Sequence, residues 1–112
     1  MNSILLQAVE ALECRDAKAF AACFSEDADF ADFCPSSNGN DNWFCFGASG
    51  IEMFYTHMIT DGRFAVFCPK AEDDHRISFF GLYDGPFVYA LFELKEIDEK
   101  GLIKKALIYP TT

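Results

Sequence analysis

The chain reads as a single α+β domain, a cone-shaped roll in which three N-terminal helices are wrapped by a strongly curved antiparallel sheet. Three observations predict it. Apolar residues recur at helical spacing near the start, strand-like runs succeed one another without helices from Phe64 onward, and 112 residues supply one core and no more. Helices and sheet are expected to enclose one apolar pocket.

Ile4, Leu5, Ala8, Val9 and Leu12 fall on one side of a helix over residues 4–13, with Gln7, Glu10 and Glu13 opposite. Asp16 can cap a second helix over 17–24, whose Phe20, Cys23 and Phe24 share a face, and Ser25, Glu26 and Asp27 should end it as a polar turn. Residues 29–34 are short and aromatic and read as a strand, placing Phe30, Asp32 and Cys34 on one face. The stretch from Pro35 to Ala48 holds loop formers, yet its Trp43, Phe44 and Phe46 are too apolar to stand free in water. They either close a ligand cavity as a lid or plug the open end of the cone as core.

Ser49, Gly50, Ile51 and Glu52 have the pattern of a capping box, opening a third helix with Ile51, Phe54, Tyr55 and Met58 on one face and Gly62 just past its end. Strands are then expected over 64–68, 75–83, 87–97 and 102–110, with Asp98 to Gly101 as the hairpin turn between the last two. From Phe87 to Phe92 both alternating sets are apolar, so this strand should be covered on both faces. Helices cover one face; the outer face, around Tyr89 and Leu91, calls for a second copy of the chain and hence a homodimer.

Composition excludes several partners. A net charge of −9, with 9 basic against 18 acidic residues, repels nucleic acid and anionic lipid. The one adjacent basic pair, Lys104 and Lys105, lies among apolar residues as a solvated strand face. With no apolar run of about 18 residues and no basic leader in residues 1–7, the expectation is a cytoplasmic protein. Five cysteines without a Cys-x-x-Cys pair fit reduced thiols packed as small apolar groups.

Three segments, in this order, resemble the nuclear-transport-factor-2-like superfamily, the cystatin-like fold of ketosteroid isomerases and polyketide cyclases. They are residues 24–32 (a Phe, an acidic turn, then a strand with a late Asp), Gly47 with Ile51 and Phe54 at the third helix, and residues 101–109 as the last strand. The resemblance covers most of the chain and implies fold more than function. It places Asp32 where ketosteroid isomerases keep a general-base aspartate, and Tyr55 where they have a pocket tyrosine. Their oxyanion tyrosine falls on Ala8 and their neutral aspartate on Phe92, with Glu93 one residue off. Steroid isomerisation therefore lacks its oxyanion device here.

Asp32 facing an apolar cavity would lose solvation and become a base near neutral pH; otherwise it accepts a backbone amide of the following loop. Tyr55 would orient a polar ligand group, or else is a core tyrosine with a satisfied hydroxyl. Phe30, Trp43, Phe54, Met58 and Phe92 are the expected apolar walls. His57 should face away from Tyr55 toward solvent and His75 should sit at a strand start. Neither has metal-site spacing, so no metal and no cofactor is assigned. Three readings follow: a domain binding a small apolar or aromatic molecule, an isomerase, cyclase or dehydratase using Asp32 as base, or a dimerisation module without ligand.

Overall fold

A computed structural model describes residues 3–111. Ser3 caps helix α1 (Ile4–Glu13) by accepting the Leu6 amide, and Leu5, Ala8, Val9 and Leu12 are buried on the predicted face. Asp16 caps α2 (Ala17–Ala21) by accepting the Ala19 amide. This helix is shorter than expected, because Phe24 already begins strand β1 (Phe24–Asp32). The predicted polar turn at Ser25, Glu26 and Asp27 is thus strand, although irregular: β1 advances five positions, from Phe24 to Asp29, where its neighbour advances only two, from Ile103 to Lys105. A bulge accommodates polar residues that a regular ladder would disfavour.

A 3-10 turn (Pro35–Asn38) leads to strand β2 (Trp43–Phe46) and helix α3 (Gly47–Thr60). Strands β3 (Phe64–Asp73), β4 (Arg76–Tyr83), β5 (Phe87–Ile97) and β6 (Ile103–Pro110) follow as a meander. The six strands form one sheet in the order β2-β1-β6-β5-β4-β3. It is mixed rather than antiparallel, since β6 docks beside β1 in parallel.

The capping box does not form. Helix α3 begins three residues earlier, with Phe46 rather than Ser49 as N-cap and no side-chain cap bond, so Ser49 lies inside the first turn. Gly47 decides this start: its φ is 75°, and an added Cβ would lie 2.5 Å from the Glu26 carbonyl oxygen. The helix passes so close to β1 that only glycine fits. Ile51, Tyr55 and Met58 face the sheet as expected, and α1, α2 and α3 pack against the concave side around a core of phenylalanines.

Candidate functional site

Period-two geometry points Phe30, Asp32 and Cys34 inward, and all three are buried. Asp32 is fully buried. Its Oδ1 accepts the Cys34 amide at 2.9 Å, and its Oδ2 accepts the Tyr83 hydroxyl at 2.6 Å. Two donors do not replace bulk water: burial pushes the carboxyl up from 3.8 to about 7, against the lowering pull of Tyr83 and Cys34. Burial is also the main reason that the Cys34 and Cys45 thiols are raised, Cys45 to about 11, with the Asp32 charge adding to it.

Tyr55 does not reach Asp32 as a hydrogen-bond partner. Its hydroxyl is buried without a partner among the described residues, and burial together with the field of Asp32 holds it neutral. Such an orphaned group costs about 1 to 3 kcal/mol.

Tyr83, which sequence reasoning left inside a strand, is the residue that touches Asp32. The signal was Gly81, two residues earlier on the same face of β4: a Cβ there would lie 2.4 Å from the Tyr83 ring. The glycine makes room for the ring to lie along the strand.

The five expected wall residues divide into two connected groups. Phe30 stacks on Phe92 at 5.4 Å and meets Tyr55 at 5.8 Å. Trp43 packs on Phe54, Phe64, Tyr83 and Tyr55, and Phe54 in turn on Tyr55. Met58 is buried in the same core. These rings touch one another through the interior, so the enclosed cavity expected from the sequence is filled by side chains. With 13 phenylalanines the chain has enough ring volume to do this.

Trp43 is the plug of the two alternatives, whereas its neighbours Phe44 and Phe46 alternate outward and are 71% and 67% exposed. Large cavities lie instead on the surface: about 950 Å³ along the outer side of α3, beside Met53 and His57, and about 450 Å³ over β1, β2 and β6, beside Phe33, Phe44 and Phe46. Neither is lined by Asp32 or Tyr55. His57 is exposed and pairs with Asp61 at 3.1 Å, and His75 is exposed. No group of three or more metal-ligating side chains occurs among the described residues.

Neither a protein-family model nor a curated protein sequence matches the chain. Solved structures do. An NTF2-like protein of unknown function from Cytophaga hutchinsonii superposes with a TM-score of 0.63 at 17% identity, covering 96% of this chain and 87% of that one. A Mycobacterium tuberculosis protein in complex with estradiol-17beta-hemisuccinate gives 0.64 at 18% identity, covering 98% and 95%. The Anabaena orange carotenoid protein binding canthaxanthin gives 0.66 at 14% identity, with 96% of this chain against 36% of that longer one. Three helices against a mixed, unclosed sheet, with inward-facing Asp32 and Tyr55, thus give this chain the nuclear-transport-factor-2-like, cystatin-like fold.

Proposed function

We propose that this chain is a small-molecule-binding domain whose site is the polar cluster of Asp32, Tyr55 and Tyr83 inside the aromatic interior. The observation that carries this reading is the Tyr55 hydroxyl, orphaned among the described residues, together with a buried carboxyl that none of them answers with a cation. A fold seldom keeps such groups in an apolar core without use for them. Phe30, Trp43, Phe54, Met58 and Phe92 supply the apolar walls, and the ligand is a small apolar or aromatic molecule with one hydrogen-bonding group for Tyr55. Structures of this fold that hold an estradiol ester and canthaxanthin support the class of ligand.

A second reading is favoured by the carboxyl itself. Poised at about 7, Asp32 matches the proton affinity of a general base working near neutrality, with Tyr55 as donor to the substrate. An isomerase, cyclase or dehydratase would use it so.

The outer sheet face is the proposed dimer interface. Phe67 lies against Phe87 and Phe80 against Tyr89, four exposed rings on β3, β4 and β5, with Leu91 beyond them. Water alone is a poor cover for that patch. The free thiols fit a reducing compartment, and the cytoplasm is the proposed location.

Native mass spectrometry of the purified full chain tests both proposals. The expected species has the mass of two chains with a small-molecule adduct, whose occupancy falls about tenfold in Tyr55→Phe, a change that removes only the orphaned hydroxyl. A charge at Leu91 should give monomer. A monomeric wild type would end the dimer proposal, and a bare chain, or an adduct indifferent to Tyr55→Phe, would end the site proposal.

A further inference from the structure

Residues 40–46 lie between two glycines that both adopt left-handed backbone, Gly39 with φ 79° and Gly47 with φ 75°. The two ends differ. Gly39 has no atom within 4 Å of where a Cβ would be, while Gly47 is wedged against the Glu26 carbonyl. The Gly39 end is held by exposed turn hydrogen bonds, from the Gly39 and Asn40 amides to the Ser36 and Pro35 carbonyls and from the Ser36 amide to the Asn42 side chain, whereas the other end is seated by close packing. The strand within it, β2, is the sheet edge and is held by four residue pairs to β1 alone. Its only large inward side chain is Trp43, for Phe44 and Phe46 point to solvent.

Trp43 stands directly opposite Asp32 in the β1–β2 register. A second connection runs through Tyr83, whose ring lies 5.3 Å from the Trp43 ring while its hydroxyl donates to Asp32. We propose that residues 40–46 form a flap over the aromatic interior, latched shut by Trp43 while Asp32 is neutral and released when Asp32 loses its proton.

The argument rests on what faces Asp32. Beyond the end of β1 there is Cys34, which gives its amide and thiol; β2 contributes Cys45, α3 Tyr55 and β4 Tyr83. From β6 comes Ile108, its cross-strand partner, which does not titrate. None of these carries positive charge, and burial holds both thiols and both tyrosines neutral. An ionised Asp32 therefore has the Tyr83 hydroxyl and the Cys34 amide and thiol as donors, and no counter-charge among the described residues. Water is the remaining source of solvation, and the flap carrying Trp43 is the movable cover over that end of the core. The titration of Asp32 near 7 puts this event in the neutral range. Flap motion goes beyond ligand binding, and its test needs no ligand, so its failure would leave the binding proposal standing.

Trp43 is the sole tryptophan in the chain and reports its own position. The experiment follows its emission maximum and acrylamide quenching in the full chain from about pH 5.5 to about pH 8.5, with far-UV circular dichroism in parallel. The expected result is a red shift and about a threefold rise in quenching with a single midpoint near 7, at constant dichroism. The transition must survive replacement of both histidines, His57→Gln with His75→Gln. It must vanish in Asp32→Asn, which retains partners for Cys34 and Tyr83 but cannot ionise. Tyr83→Phe provides an independent arm: removing the donor that favours the carboxylate should move the midpoint to higher pH by about one unit. A wild type without a transition, a transition that persists in Asp32→Asn, an unmoved midpoint in Tyr83→Phe, or loss of dichroism along with the red shift would each overturn the flap.

Discussion

Asp32 sits where two demands oppose each other, since the carboxyl is hydrogen-bonded as an ion would be and yet is fully buried with no cation beside it among the described residues. Burial prevails, so the folded chain holds this proton more tightly than the unfolded chain does. The stabilisation is then fully present below the unfolded value of 3.8, declines as pH rises and is gone above the folded value of about 7. Between pH 5 and pH 8 this corresponds to a loss of about 2 to 3 kcal/mol. Urea unfolding should show that decline in the wild type and a flatter profile in Asp32→Asn, which should be the more stable of the two at pH 8. An Asp32→Asn protein that loses stability at pH 8 would mean that the carboxylate, not the acid, is the native form. The inward direction of Asp32 was legible from period-two alternation beside Phe30. Its partner was not, because Tyr55 lies 23 and Tyr83 51 residues from Asp32 along the chain, and only the way the sheet folds around the helices chooses between them.

 Tyr83 lies 51 residues along the chain from Asp32, and such a separation carries no local signal of contact.

At the scale of elements, helix α3 shows how a close approach overrides a local motif. Ser49 and Glu52 have capping-box spacing, but Gly47 starts the helix earlier by letting its backbone pass the Glu26 carbonyl. The amphipathic face was still legible, because it depends on spacing rather than on the first residue: Ile51, Tyr55 and Met58 are buried as read. Ile51→Ala should cost about 2 to 4 kcal/mol in denaturant unfolding, since it empties a fully buried site between helix and sheet. A loss below about 1 kcal/mol would show that the face is loosely packed. Strand β2 was hidden for a different reason. Eight loop-forming residues precede it and the strand itself is four residues long, so tertiary pairing with β1 decides its state. The polar start of β1 was hidden likewise, by a bulge that only the neighbouring β6 defines.

For the molecule as a whole, the inside and the outside of one sheet carry the two parts of the account. The outer face displays Phe67, Phe80, Phe87 and Tyr89, the surface proposed as the dimer interface. The concave face closes over Asp32. Alternation in β5 made both faces legible as apolar, although whether the interior was hollow or filled depended on how 13 phenylalanines pack, which no pattern of spacing states. With 9 basic against 18 acidic residues, at least half of the carboxyls have no basic residue of their own to pair with. Exposed carboxyls escape this where arginine answers them: Arg63 holds Asp84 below its usual range and Arg76 does the same for Asp73. Asp32 has no such partner among the described residues, and the reading of its surroundings as a functional site depends on that difference. The carboxyl carbon shift of Asp32, followed by nuclear magnetic resonance through a pH titration of the labelled full chain, tests it most directly. A midpoint near 7 is expected, whereas a midpoint at or below the ordinary 3.8 would make Asp32 a structural acceptor and contradict the account.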